Sequence, residues 1–442
     1  TSLPLLYPLR YHIDHLAFRS LSTQSASLQS VKFFYEFWRQ KYGVSFCYSF
    51  YSSDHNPDIA VGEMPAFWMY LENGHNVQSN VLSLTRVTKA NSLTHTVRVR
   101  AVIHFISFLI NTYISPAYRD DSPKALSLLA SRLHTRLQLC RENYRTLTSN
   151  KFSQHSHSSQ GFQSLSGAMV LSLYGIITPS SAQKHNPLNP FPSGHLQFRN
   201  FLIIRLLLNY GLRTGELLLL ECSSIKPNLK GDKFSLIVTT VDEAYEPRKN
   251  APSLKNAWAN RVLELDKQDY IFLSIYIAKL RPKTDKHDFI FTSSQQSAKP
   301  LSYTSVHSIF SKIDQVFTNQ YPEYKSPLYS DSLQRLTPHT TRHTWAFLTL
   351  QKIWHLKYLK SQQNKTHFIA EVPSLSGIME EAKDELRLMG GWSPTSQMPD
   401  LYAKRFLSEQ ANAANVQRII QDNAALHNTL DTIMDRYNDD II

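Results

Sequence analysis

The sequence predicts a mainly α-helical fold with a small antiparallel β-sheet in its second half, which is an α+β organisation. Through most of the first 150 residues, apolar side chains recur at helical spacing, as in the stretch from Leu28 to Trp38. Two short runs of β-like composition, at 234–241 and 261–265, lie between helical patterns and suit the strands of a small sheet. Helical patterns resume at residue 270 and continue to the end of the sequence.

The elements group into more than one domain, because 442 residues exceed the length of a typical single domain. A polar, serine-rich stretch without periodicity ends at residue 161 and has the composition of a surface linker. The predicted ranges are a helical N-terminal region at 1–150, which can comprise two subunits at about 1–80 and 81–150, a linker at 151–161, a second domain at 162–410, and a C-terminal amphipathic helix at 411–442.

The composition is basic, with 47 Lys and Arg residues against 35 Asp and Glu residues and a net charge of +12. Such a charge attracts polyanions, either nucleic acid or an acidic membrane surface. Cys47, Cys140 and Cys222 lie far apart, so we expect neither a disulfide framework nor a zinc module. The N-terminus has no continuous apolar core of the signal-peptide type, and we therefore expect a soluble intracellular protein.

The second domain begins with a long apolar helix that Gly211 ends, and Arg213 follows it at the start of a short helix. Glu216 lies one turn further on and can hold a buried Arg213 guanidinium, although the spacing taken alone favours a surface ion pair. Pro338 starts a later helix, which places His339 and Arg342 on one face. Guanidinium binds phosphate oxygens and imidazole can move a proton, so this pair suits phosphoryl chemistry; a solvated helix terminus is the alternative.

A third block, at 386–406, combines a Gly-Gly turn with Trp392 directly after it and Tyr402 ten residues beyond. Lys404 and Arg405 follow the tyrosine. Nearby cations lower the free-energy cost of a phenolate, so Tyr402 is a candidate nucleophile. The sequence has no glycine-rich phosphate loop, no His-Glu-x-x-His zinc motif and no Gly-x-Ser-x-Gly elbow.

Taken in order, "GLRTGELL", "HTTRH" and "MGGW…LY" resemble the signature of the tyrosine recombinases, also called the phage integrase family. The resemblance covers roughly residues 162–410 and implies that this range is a catalytic domain. The helical region at 1–150 resembles the core DNA-binding domain of these enzymes by type and position. The resemblance also implies that the helix at 411–442 docks on a neighbouring protomer.

The resemblance assigns roles residue by residue. Arg213 and Arg342 match the two arginines that hold the scissile phosphate, and Tyr402 matches the nucleophile that forms a 3′-phosphotyrosyl link. His339 matches the active-site histidine and is expected to receive the tyrosine proton. Trp392 matches the position where an indole N–H can donate to a phosphate oxygen.

Two further residues follow from the same resemblance. The family has a lysine on a β-hairpin, expected to protonate the leaving 5′-oxygen, and here we favour Lys255 with Lys249 as the alternative. His343 follows the second arginine, as in many members, and is expected to support the fold.

The implied function is that of a site-specific DNA recombinase, an integrase or transposase of a mobile element, working through a Holliday junction. The implied partners are double-stranded recombination sites, a homo-tetramer on DNA and accessory DNA-bending proteins, with no cofactor, metal or membrane. A cytoplasmic, nucleoid-associated location fits these partners. Two alternatives stay open, a non-catalytic DNA-binding protein of the same fold and a nicking-closing enzyme similar to type IB topoisomerases.

Overall fold

The computed structural model describes residues 5–72, 89–117, 122–153, 162–180, 185–241, 246–248, 251–294, 298–326, 328–329, 331–364 and 375–425. The chain forms two compact units, 1–157 and 158–442. The division between them falls within the range 151–161 predicted as a linker, although the last helix of the first unit continues to Ser153. Each unit is described separately below.

The described part of the first unit is helical. Its helices are α1 (Leu6–Tyr11), α2 (Leu21–Tyr42), α3 (Phe46–Ser52), α4 (Asp58–Gly62), α5 (Met64–Glu72), α6 (Lys89–Ala117) and α7 (Pro123–Ser153), with a π-helical turn at His12–Leu16 after α1. One hydrophobic core joins side chains from Tyr7 to Tyr144. Because residues from both 1–80 and 81–150 pack into this core, the first unit is not built as two separate cores.

One stretch of α6, Thr94–Ser115, has the length and apolar composition of a membrane-spanning helix. Half of its most apolar window is buried inside the structure. Ile106 and Leu109 are fully buried in the core of the first unit, as expected of the central helix of a helical domain.

The second unit combines eight helices with a three-stranded sheet among its described residues. The helices are α8 (Gly167–Ile177), α9 (Gly194–Asn209), α10 (Thr214–Leu218), α11 (Lys267–Ile275), α12 (Tyr303–Gln320), α13 (Pro338–Asn364), α14 (Leu375–Met389) and α15 (Met398–Ala425). The strands are β1 (Ile225–Pro227), β2 (Phe234–Val238) and β3 (Arg261–Leu265). Short 3₁₀ turns at Cys222–Ser224, Ala257–Ala259 and Pro322–Lys325 and a π-helical turn at Tyr276–Leu280 complete it.

The sheet is antiparallel, in the order β1-β2-β3. Phe234 of β2 pairs with Leu265 of β3, and Val238 pairs with Arg261, so the two β-like runs of the sequence form adjacent strands. The prediction of a mainly α-helical domain with a small antiparallel sheet is therefore confirmed. The segment 239–260 connects β2 to β3, and it carries the two candidate lysines.

The core of the second unit has two parts. The larger part lies between α8, α9, the sheet and α12. The smaller part lies between α13, α14 and α15 and includes Trp345, Trp392 and Tyr402. The helix that starts at Pro338 and the segment with Tyr402 both carry predicted site residues. They therefore contribute to one local core.

The C-terminal helix differs from the sequence prediction. Residues 411–425 are not a separate element, because α15 runs without interruption from Met398 to Ala425 and carries Tyr402 in its second turn. The remaining residues, 426–442, lie outside the described part of the chain. Residues 411–424 are exposed, including Val416, Ile419 and Ile420.

The turn between α9 and α10 requires a glycine. Gly211 has a φ of +59°, in the left-handed region that side chains other than glycine rarely adopt. A Cβ built at this position would lie 2.0 Å from Cε3 of Trp345, which is itself buried. The close approach of the Gly211 backbone to this indole fixes the turn that leads into Arg213.

Gly211→Ala is expected to destabilise the second unit by roughly 3 kcal/mol or more, because backbone strain and overlap with the indole add together. The matched control is Gly231→Ala, since Gly231 has a φ of +72° but open space around its Cβ position. The control should cost only about 1 kcal/mol from strain. Urea unfolding of both variants checks this, and equal losses would show that the contact with Trp345 is unimportant.

Candidate active site

The site begins at the N-terminus of α10, where Arg213 occupies the position before the first helical residue. The backbone N–H of Arg213 donates to Oε2 of Glu216 at 2.9 Å, and its guanidinium donates to Oε1 of the same carboxylate. Glu216 thereby caps the helix and orients the arginine side chain. This is the pairing that the three-residue spacing predicts, but Glu216 is 1% exposed, so it is a buried ion pair rather than a surface one.

Glu216 is shared by three arginines. Nη2 of Arg261, on β3, donates to Oε2 at 2.9 Å, and Nη1 of Arg342, on α13, lies 3.9 Å from the same oxygen. Burial raises the pKa of Glu216, but Arg261, Arg342 and Arg213 outweigh it and hold this pKa below its ordinary value. One carboxylate therefore joins α10, β3 and α13.

Arg342 is itself buried and is held by backbone carbonyls. Its Nη2 donates to the carbonyl of Gly390 at 2.6 Å, and its Nη1 donates to the carbonyl of Gly211. Its guanidinium carbon lies 4.6 Å from the centroid of the Trp392 ring, within the range of a cation–π contact. Burial and the charge of Arg213 lower the pKa of Arg342 to about 9, so bringing an anion close would be strongly favourable.

The Gly-Gly-Trp turn follows α14 and lies against the arginines. The carbonyl of Gly391 accepts from Nη2 of Arg213 at 3.2 Å, and the carbonyl of Met389 accepts from Nε of Arg261 at 2.8 Å. A Cβ at Gly391, whose φ is +58°, would lie 2.9 Å from Nη1 of Arg261. The turn needs its glycines because arginine side chains and the Trp392 ring pack directly on its backbone.

Tyr402 lies in the same core, with its side chain buried. Its hydroxyl is 2.9 Å from Nδ1 of His343, and its ring lies 6.1 Å from that of Trp392. Burial raises the pKa of Tyr402 to about 12, although Arg342 and Arg213 act to lower it. The cations that act on this phenol are therefore the two arginines from distant segments.

The neighbours of Tyr402 in the sequence do not have the predicted effect. Lys404 is exposed, and Arg405 turns to Ser164, Glu409 and the ring of Phe162 instead of the phenol. Lys404 is two positions from Tyr402, so helix geometry directs it to another side. The Arg405 guanidinium is drawn away from the phenol by its bonds to Glu409 and Ser164. The effect of burial exceeds that of the nearby charges, so the pKa of Tyr402 lies above its ordinary value.

The two histidines of α13 face different groups. His339 packs edge-on against His343, with ring centroids 4.2 Å apart. Burial, Arg342, Lys255 and Arg213 all lower the pKa of His339. His339 is thus the histidine close to the cations, whereas His343 contacts the tyrosine.

The structure brings five of the six predicted site residues, Arg213, His339, Arg342, Trp392 and Tyr402, into one cluster through these contacts. The sixth, Lys255, is exposed on the segment before β3, near enough to His339 to affect its pKa. Lys249 lies outside the described residues. The choice between the two lysines therefore stays a prediction.

Sequence reasoning missed two features of the site. Arg261 is the first residue of the predicted strand 261–265 and has no predicted role, yet it joins Glu216 to the Gly-Gly turn. His343 is expected to support the fold, yet it contacts the Tyr402 hydroxyl. The sequence signal for Arg261 is a basic residue at the start of a β-like run.

Comparison with known proteins gives a family for part of the chain. Residues 183–364 match the sequence model described as the phage integrase family. This range includes Arg213, Lys255, His339 and Arg342, while Trp392 and Tyr402 lie beyond it. A comparison with functionally curated proteins gives no significant match.

Several solved structures resemble the chain at low identity. A singly substituted form of the Tn1549 transposon integrase (aa 82–397), in complex with a circular intermediate DNA, is 12% identical, with a TM-score of 0.40 over 86% of this chain and 99% of that one. XerA recombinase is 14% identical, with a TM-score of 0.32 over 92% and 97%. XerH site-specific recombinase bound to difH is 13% identical, with a TM-score of 0.34 over 87% and 96%.

Glu216→Gln is expected to destabilise the second unit by about 3–5 kcal/mol at neutral pH, because it leaves one buried and two half-buried arginines without their shared anion. The folded-state pKa of Glu216 is depressed, so its contribution is complete above the ordinary value of 4.5 and is lost as the pH falls through the folded-state pKa. Urea unfolding at neutral and acidic pH measures both effects.

The control for this change is Glu264→Gln, on the exposed face of β3, which should shift stability by less than about 0.5 kcal/mol. A Glu216→Gln variant as stable as this control would show that the arginines do not depend on the carboxylate.

Proposed function

We propose, from the match of residues 183–364 to the phage integrase family, that the protein is a site-specific DNA recombinase that cuts and rejoins DNA through a covalent 3′-phosphotyrosine. The observation that carries the proposal is that Arg213 and Arg342, from distant segments, both donate to the Gly390-Gly391 turn, whose next residue, Trp392, lies 6.1 Å from the ring of Tyr402. Two guanidiniums beside a nucleophilic oxygen suit a reaction in which negative charge grows on a phosphate.

In the proposed reaction, Oη of Tyr402 attacks phosphorus and the bond to the 5′-oxygen breaks. Arg213 and Arg342 stabilise the charge on the non-bridging oxygens of the pentacoordinate phosphate. The phosphotyrosine retains the energy of the broken bond, so a 5′-hydroxyl of another strand can reverse the attack and reseal the DNA. In this mechanism the protein's own side chains perform each step.

The remaining predicted residues take supporting roles in this scheme. His339, close to Arg342, Arg213 and Lys255, is placed to donate to a phosphate oxygen. The indole of Trp392 packs on the Arg342 guanidinium and fixes its plane. Lys255 supplies the proton that the leaving 5′-oxygen needs, with Lys249 as the alternative donor.

The wider proposal is that the protein serves a mobile element as an integrase or transposase and forms a tetramer on double-stranded recombination sites through a Holliday junction. The exposed end of α15 and the residues after it would dock on a neighbouring protomer. Accessory DNA-bending proteins are candidate partners, and a cytoplasmic, nucleoid-associated location fits this work. The helical first unit would contribute to DNA binding.

Two other functions use the same residues differently. A DNA-binding protein without catalysis would not need the phenol close to two guanidiniums, so the geometry favours the enzyme. A nicking-closing enzyme would use the same chemistry but would relax supercoiled plasmid that carries no specific site. Relaxation without strand exchange would favour that alternative.

Tyr402→Phe is expected to abolish covalent protein–DNA adduct, because the variant lacks the attacking oxygen. The substrate is a nicked duplex pool, 5′-labelled and randomised in sequence, in which the fragment downstream of the nick diffuses away after cleavage. Denaturing gels measure the labelled adduct. Tyr329→Phe, at an exposed tyrosine, should form adduct like the wild type; adduct in Tyr402→Phe would exclude the assigned nucleophile.

Lys255→Ala is expected to slow adduct formation by about 10²–10⁴-fold on the nicked duplex pool, because general acid catalysis of the leaving group is lost. With a sulfur in place of the bridging 5′-oxygen, the leaving group departs without a proton and the variant should recover nearly the wild-type rate. Adduct rates on the two substrates provide the measurement.

Lys249→Ala, tested beside it, decides between the two lysines, and Lys230→Ala, at an exposed lysine between β1 and β2, is the control. Recovery on the sulfur substrate by Lys249→Ala instead of Lys255→Ala would transfer the role to Lys249.

A further inference from the structure

The hydroxyl of Tyr402 is hydrogen-bonded to the second histidine of the "HTTRH" stretch. Nδ1 of His343 lies 2.9 Å from Oη of Tyr402, a normal hydrogen-bond distance. His339, one turn earlier on α13, packs edge-on against the ring of His343. Of the two histidines, it is therefore His343 that is hydrogen-bonded to the hydroxyl of Tyr402, the candidate nucleophile.

We propose that His343 is a further catalytic residue, whose Nδ1 accepts the Tyr402 proton when the tyrosine attacks the phosphate. The proposal rests on the proposed function and deepens it, because it divides the work of the two histidines. His343 accepts the proton of the tyrosine, and His339 donates to a phosphate oxygen. The sequence prediction gave the tyrosine proton to His339 and a supporting role to His343.

Side chains of the site supply the proton donor and the proton acceptor for the cleavage step. The O–H bond of Tyr402 breaks, its proton passes to Nδ1 of His343, and the oxygen lone pair forms the new bond to phosphorus. The bond from phosphorus to the 5′-oxygen breaks, and that oxygen takes a proton from Lys255 under the proposed function. On resealing, the attacking 5′-hydroxyl gives its proton back to Lys255, and His343 returns its proton to the departing Tyr402 oxygen.

The surroundings hold His343 in the neutral charge state that this step requires. Burial, His339 and Arg342 lower the pKa of His343 to about 4, so the ring is neutral at neutral pH. A neutral ring with its proton on Nε2 presents a lone pair at Nδ1, which can accept from the phenol. Phe162 stacks on the His343 ring at 5.3 Å and meets the Tyr402 ring edge-on at 4.8 Å, which fixes both groups.

The pKa values of Tyr402 and His343 differ widely, which bears on the stage of the reaction at which the proton is transferred. A phenol with a pKa of about 12 does not pass its proton to this histidine in the resting protein. As Oη bonds to phosphorus its proton becomes acidic, and the bound phosphate offsets the positive charge of Arg342 that lowers the histidine pKa. Transfer is therefore expected in the transition state, as general base catalysis.

The groups that face the phenol support the same division. The charges acting on Tyr402 come from Arg342 and Arg213, whereas those acting on His339 include Lys255 as well. His339 is thus subject to the charge of Lys255, the proposed donor to the leaving group, whereas His343 is hydrogen-bonded to the nucleophile.

The test compares His343→Ala and His343→Asn in the full chain, each with tyrosine or a ring-fluorinated tyrosine at position 402. A fluorinated phenol loses its proton more readily and needs a base less. On the nicked duplex pool, both variants should form adduct about 100-fold more slowly than the wild type when residue 402 is tyrosine. With fluorotyrosine, this deficit should shrink to about tenfold or less.

The asparagine variant separates proton transfer from positioning, because its amide oxygen can accept the hydrogen bond but cannot take up the proton. A wild-type rate in His343→Asn, or a deficit unchanged by fluorination, would overturn the proposal. His355→Ala, at an exposed histidine on α13, is the control and should keep the wild-type rate. Because each comparison is made within one variant background, partial unfolding would slow both forms equally and would also count against the proposal.

A failure of the proposed function gives a different experimental result from a failure of the His343 assignment. If the wild type forms no adduct, or if Tyr402→Phe still forms it, the proposed function fails and this proposal fails with it. If the wild type forms adduct that requires Tyr402 but the His343 variants match the wild type, the assignment of His343 alone is wrong. The fluorine resonance of residue 402 in the free protein should also move on His343→Ala, and an unmoved resonance would contradict the contact itself.

Discussion

The candidate site depends on one buried carboxylate. Glu216 accepts hydrogen bonds from Arg213 and Arg261 and lies within ion-pair distance of Arg342. Three guanidiniums this close would repel one another without a shared anion, and burial would strengthen that repulsion. The carboxylate balances only part of the charge, so the cluster keeps a net positive charge that a phosphate can neutralise.

Backbone carbonyls also hold the arginines in place. The carbonyls of Gly211, Gly390 and Gly391 accept from Arg342 and Arg213, so the orientation of each guanidinium is set by main-chain atoms of two tight turns. Side chains at these turns would collide with the rings or guanidiniums that lie against them. Electrostatic preorganisation of this kind costs no rearrangement when charge develops on a substrate. The glycines of the motif are therefore as much a part of the site as the arginines.

The sequence predicted the elements well where the determining interactions are local. The spacing of Arg213 and Glu216 and the proline before His339 both act within one helical turn, so their geometry follows from helix geometry. The contacts that it missed join residues far apart in the chain, 45 positions from Glu216 to Arg261 and 59 from His343 to Tyr402. A strand pattern indicates that Arg261 lies on a sheet but not which carboxylate it meets. The burial of Glu216 was likewise hidden, because its short-range pattern is that of an ordinary surface pair.

The continuity of α15 has a mechanical consequence. Tyr402 lies near one end of a rigid rod, and the described part of that rod extends 23 residues past it, or about 35 Å at the rise of an α-helix. The exposed turns beyond the phenol belong to the same hydrogen-bonded helix as Tyr402 itself. A partner bound to those turns would therefore act on the helix that holds the phenol against His343. In the described part of α15, no break in the helix separates the oxygen atom of Tyr402 from such a contact.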